Sequence, residues 1–141
     1  MSRMPRRSPS QVLVHVVWAT LGRRPALPEG FDGELAAILG RKASVAGCAL
    51  LGAGVASDHV HALLLLGSKV ALADAVQRLK GAAAHDINRH AALAVPLVWQ
   101  AGYWAESFGP ADLDPLVRYL RRQRTRHDES HPAEGWQHGV D

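Results

Sequence analysis

Two histidines stand one residue apart in Asp58-His59-Val60-His61, at the mouth of the apolar run Ala62-Leu-Leu-Leu-Leu66. A short apolar run of this kind reads as a buried strand, and because strand side chains alternate faces, His59 and His61 project to the same side. Two adjacent imidazoles on one face make half of a metal site. The alternative is a pair of structural histidines bonded to sheet-end backbone or to Asp58, with no metal. The only cysteine, Cys48, reads as a small core residue. It excludes an intrachain disulfide and any cysteine-based zinc cluster, so a metal would rely on histidine, carboxylate or amide ligands.

A second concentration of chemistry lies some sixty residues further on. In a helical reading, Leu113, Leu116, Val117 and Leu120 form an apolar stripe with Tyr119 along its edge. Gln123 follows one turn later, flanked by Arg122 and Arg126. A phenol, an amide and two guanidinium groups therefore share one face. Five arginines, Arg118, Arg121, Arg122, Arg124 and Arg126, fall within nine residues, while the formal net charge of the whole chain is only +3. This local clustering makes a patch that a phosphate backbone would find, although a basic helix face also serves simply as a solvated surface.

The elements that must position these groups are legible in outline. The 141 residues, 48% hydrophobic and 21% charged, suit one soluble globular domain. We divide them into a basic leader (residues 1–10), a domain (11–128) and a tail (129–141). No apolar stretch approaches the ~20 residues of a membrane span, and no apolar segment follows the basic leader, so a cytoplasmic protein is expected. Gln11–Thr20 reads as a first strand, Phe31 to about Gly47 as a helix, Ala49–Val55 as a second strand, and the histidine run as a third forming a hairpin with it. Leu72, Val76, Leu79, Ala83 and Ile87 mark a second helix, and Val98–Ser107 an aromatic strand. The last helix is expected to open at Ala111 or Asp112 and to run to about Asp128, with Asp112, Asp114 and Pro115 in its first turn.

Strand, helix, strand, strand, helix, strand and a final helix is the order of a split βαβ, ferredoxin-like α+β fold. It predicts an antiparallel sheet of four to five strands, with the two main helices on one face and the last helix added to this core.

Five segments, in order, resemble a known family: His15-Val-Val-Trp18 with Arg23-Arg-Pro25, Asp58-His-Val-His61, Gln77-Arg-Leu-Lys-Gly81, Trp99-Gln-Ala-Gly-Tyr103, and Tyr119-Leu-Arg-Arg-Gln123. The chain resembles the single-tyrosine HUH transposases of small bacterial insertion sequences, especially their REP-associated relatives. The likeness spans most of residues 11–128. Ala62 departs from it, standing where the family carries a larger residue.

The resemblance implies that His59, His61 and Gln123 hold one divalent ion, and that Tyr119 attacks a DNA phosphate to form a 5′-phosphotyrosine bond. A phenol with an ordinary pKa of ~10 is a modest nucleophile at neutral pH, so a nearby cation makes physical sense. Ligand type alone, two imidazoles and an amide, favours zinc or manganese; the resemblance favours Mg²⁺ or Mn²⁺. It also implies single-stranded or hairpin DNA as partner and a homodimer, with the tyrosine helix acting in cis or in trans. Arg23, Arg24, Lys80, Arg122 and Arg126 are the candidate DNA contacts. Trp99, Tyr103 and Trp104 are candidates for base stacking, although large aromatics in a strand more often serve the core or a dimer interface. His15 reads as structural rather than as a fourth ligand. Rival readings are a domesticated hairpin-nicking or hairpin-binding protein serving the host, a ferredoxin-like nucleic-acid-binding module without catalysis, and a metal-dependent hydrolase of small molecules.

Overall fold

A computed structural model describes residues 11–91 and 93–122. Its elements run β1 (Val12–Ala19), α1 (Asp32–Val45), β2 (Ala49–Val55), β3 (His59–Leu66), α2 (Leu72–His90), β4 (Trp104–Ser107) and α3 (Leu113–Arg121), with short 3-10 turns at Leu21–Arg23 and Pro110–Asp112. Among the described residues there are four strands, all antiparallel, in the order β2-β3-β1-β4. This is the split βαβ arrangement that the order of elements predicts.

The helices divide between the two faces of the sheet. One face of the central strands, Val14, Val16 and Trp18 of β1 with Val60, Ala62 and Leu64 of β3, packs against Leu35 and Leu39 of α1 and Val76, Leu79, Ala83 and Ile87 of α2. These helical residues recur at three and four positions, so each helix presents one apolar stripe to the sheet. Alternation sends His15, Val17 and Ala19 of β1 and His59, His61 and Leu63 of β3 to the other face. There α3 lies against β2. Cover on both faces explains why the central strands read as near-continuous apolar runs.

Two expectations need correction. The aromatic strand is shorter than Val98–Ser107, because only Trp104–Ser107 joins the sheet, with Trp99 making an isolated bridge to Thr20. The chain before it pairs with the backbone of Ala19 and Leu21 only around that bridge and is also held to α2: Trp99 Nε1 donates to the Lys80 carbonyl at 2.7 Å, the Asn88 side chain bonds both the N–H and the C=O of Leu97, and Gly102 turns the backbone at φ +83°. The last helix begins at Leu113, one or two residues later than expected, because Pro110–Asp112 form a tighter 3-10 turn. Its expected continuation to Asp128 lies outside the described residues.

Candidate active site

The first turn of β3 carries the histidine pair, and the register fixes its surroundings. His61 stands opposite Val17 on one side and Gly54 on the other, while His59 stands opposite Ala19. Both imidazoles are buried, with ring centroids 4.9 Å apart. Each is held at Nδ1. His59 Nδ1–H donates to Asp58 Oδ1 at 2.7 Å, and His61 Nδ1 shares a 2.8 Å hydrogen bond with His15 Nε2.

Asp58 is itself anchored, since Arg23 Nε donates to its Oδ2 at 2.9 Å. Burial acts to raise the Asp58 pKa, but the hydrogen bonds and charges of His59 and Arg23 outweigh it and hold the carboxyl below its ordinary value. Arg23 reaches Asp58 from the left-handed region, at φ +56° next to Gly22 at φ +64°. Thr20 locks the same junction, its N–H donating to the Asp58 carbonyl at 2.9 Å and its hydroxyl to the Arg24 carbonyl at 2.6 Å.

The tyrosine comes from α3, which docks on the sheet of its own chain. Glycines on β2 give it room. An extra residue at Leu51 breaks the pairing between Leu50 and Gly52, after which Gly52 and Gly54 share the face of Leu63 and His61. Val117 and Leu120 of α3 settle over these two glycines. Tyr119 then meets His61 edge to face, with ring centroids 6.3 Å apart and planes at 84°. Tyr119 also lines a cleft of about 460 Å³ with Leu116, Phe108, Glu106 and His15.

Of the sequence-predicted site residues, the fold thus brings His59, His61 and Tyr119 together in one chain. Gln123 and Arg126 lie outside the described residues. Arg24 and Arg122 are exposed, whereas Arg23 is tied into the histidine site through Asp58. Lys80 sits apart on α2, its ammonium donating to the carbonyls of Gln100 and Gly102 at 3.0 and 2.9 Å, and burial lowers its pKa from the ordinary lysine value. This side chain clasps the 97–103 segment. Lys80→Met is therefore expected to lower stability by about 1–2 kcal/mol, read as a lower denaturation midpoint, while the histidine face stays intact. Trp99 and Tyr103 pack against the core, and Trp104 lies edge-on to His15 at 5.4 Å.

The donor set suits a divalent metal. Tethering each ring at Nδ1 orients it and leaves Nε2 as the atom that could coordinate, the usual outer-sphere arrangement of a histidine ligand. Among the described residues no third histidine, cysteine or carboxylate completes a metal cluster. A metal held here would take its third protein ligand from beyond them or from an amide.

A split βαβ sheet bearing a tethered histidine pair and a facing tyrosine defines the class of the fold and site. Two solved structures share the architecture. A crystal structure of a candidate transposase from Deinococcus radiodurans R1 matches with a TM-score of 0.62 at 24% identity, over 87% of this chain and 98% of that one. A REP-associated tyrosine transposase bound to a REP hairpin matches with a TM-score of 0.61 at 16% identity, over 90% of this chain and 74% of that one. No curated protein matches the chain. The sequence profile of the IS200-like transposases matches residues 8–123, and the chain belongs to that family.

Proposed function

We propose that this protein cleaves and rejoins single-stranded, hairpin-bearing DNA through a covalent bond to Tyr119. The observation that carries the reading is the placement of Tyr119 against His61 within one chain of a transposase family. The Tyr119 phenol gives up its proton as its oxygen forms a bond to the scissile phosphorus. The bond from phosphorus to the 3′ oxygen breaks, and that oxygen leaves as a hydroxyl after taking up a proton. The 5′-phosphotyrosine conserves the energy of the broken link, so attack by a 3′-hydroxyl rejoins the strand without ATP. His59 and His61, with Gln123 as third ligand, would hold Mg²⁺ or Mn²⁺, which supplies the positive charge that polarises the phosphate.

Hairpin DNA as the substrate is supported by the hairpin held by the structural neighbour of the same fold. Arg24, Arg122 and Arg126 are the proposed backbone contacts. Arg23 holds Asp58, and Lys80 holds the 97–103 segment. A homodimer is the proposed assembly, with the tyrosine helix serving the histidines in cis or in trans. No helix among the described residues is long and apolar enough to cross a membrane, and we place the protein in the cytoplasm with its DNA.

The test is incubation with single-stranded oligonucleotides tiling the DNA on either side of this chain's coding sequence, any hairpin-forming stretches included, with Mg²⁺ or Mn²⁺. A protein–DNA adduct that survives a denaturing gel is expected, and chelation with EDTA should remove it. Absence of any adduct with either metal would overturn the cleavage reading. An adduct undiminished by EDTA would overturn only the metal.

A further inference from the structure

We infer that His15 is a positioning residue that selects the tautomer in which His61 can coordinate a metal. The inference rests on the proposed metal role of His61, and its test can fail separately. His15 and His61 are diagonal neighbours on one face of the sheet, since His15 is paired with Leu63 and His61 with Val17. Their rings lie 5.1 Å apart and 29° from parallel, and a 2.8 Å hydrogen bond joins His15 Nε2 to His61 Nδ1.

A neutral imidazole carries one N–H, and one proton occupies this bond. With the proton on His61 Nδ1, His61 Nε2 carries the lone pair that a metal needs, and His15 accepts at Nε2. With the proton on His15 Nε2, a neutral His61 has its own proton on Nε2 and cannot be a ligand there. If His61 coordinates through Nε2, His15 is the acceptor, and its ring is held by burial and by a T-shaped contact with Trp104.

The two tethers differ in charge for a physical reason. Asp58, half-buried and paired with Arg23, holds His59 with a compensated carboxylate. His15 is 3% exposed and His61 fully buried, where a second carboxylate would be costly to desolvate. An imidazole supplies the acceptor without the charge.

The test compares wild type with His15→Phe, which keeps a ring against Trp104 but loses the acceptor, and His15→Gln, which restores an amide oxygen. Long-range ¹H–¹⁵N spectra of the metal-free protein read the His61 tautomer, and titration with Mn²⁺ alone reads affinity. Wild type is expected to hold His61 protonated on Nδ1, and His15→Phe to shift it toward Nε2–H. Mn²⁺ binding should weaken about 10–100-fold in His15→Phe, as for other outer-sphere partners, and recover in His15→Gln. A wild-type His61 protonated on Nε2, or a His15→Phe protein binding Mn²⁺ as tightly as wild type, overturns the inference. If wild type binds no Mn²⁺ at all, the metal reading fails, and the wild-type and variant tautomers still decide the role of His15. Should His15→Phe not fold, the wild-type spectrum and His15→Gln remain decisive.

Discussion

Tyr119→Phe is expected to abolish the covalent DNA adduct while leaving the fold and the histidine pair intact. The substitution removes one oxygen atom and keeps the ring that stands edge-on to His61. Stability should change by no more than about 1 kcal/mol, because no packing volume is lost. What is lost is the whole of the proposed nucleophile. The chain has one other tyrosine, Tyr103, which packs against the core beside α2 on the opposite side of the sheet. It is out of reach of a phosphate held at the histidines. Tyr103→Phe should therefore form adduct as wild type does, whereas Tyr119→Phe should bind the hairpin oligonucleotide and form none. Denaturing gels for the adduct and fluorescence anisotropy for binding distinguish the two. Adduct formation by Tyr119→Phe at the wild-type level would remove this residue from the chemistry and leave the histidine pair without its partner.

What could be read before the fold was known divides along a physical line. Signals that are local in sequence came through: the histidine strand, the Ala49–Val55 strand and the α2 stripe all stand where the periodicity puts them, because each is written in the residues that form it. Features that depend on a distant partner did not. Val98–Gln100 has the composition of a strand, yet it pairs with β1 only at the isolated Trp99–Thr20 bridge, and Trp99 Nε1 ties it to α2, so tertiary bonds limit what strand propensity alone would extend. Arg23 shows only its charge in the sequence. Nothing local reveals that a left-handed turn carries its guanidinium to Asp58, 35 residues away. Alternation puts His15 on one face with Val17 and Ala19, but only the register shows that the face is shared with His61. The extra residue at Leu51 also defeats a reading by period two, which would group Leu50 with Gly52 and Gly54.

That last detail sets up the second large effect. Gly54 stands opposite His61, and a Cβ there would lie 2.7 Å from the Leu120 carbonyl oxygen, 2.9 Å from Leu120 Cβ and 3.1 Å from Leu120 Cα. Two of these three atoms are backbone of α3, at the residue that follows Tyr119, so no rotamer change relieves the contact and the helix itself must move. Gly54→Ala is expected to lower stability by about 1–3 kcal/mol, the usual range for overpacking a filled interface. Its effect on cleavage should be larger. A displacement near 1 Å of a reacting group costs on the order of 10²-fold in rate. The histidines, held from β3 by Asp58 and His15, do not depend on α3 for their tethers. Gly54→Ala should thus keep the His59 and His61 tethers and form adduct about a hundredfold more slowly in a single turnover. Gly52→Ala provides the contrast, because the nearest atoms to a Cβ there are the side-chain ends Val117 Cγ2 at 3.2 Å and Leu63 Cδ1 at 3.4 Å, which can give way. Equal adduct rates for the two variants would mean that α3 is not seated through Gly54. A loss confined to Gly54→Ala would show that an absent side chain on β2 sets the distance between nucleophile and histidines.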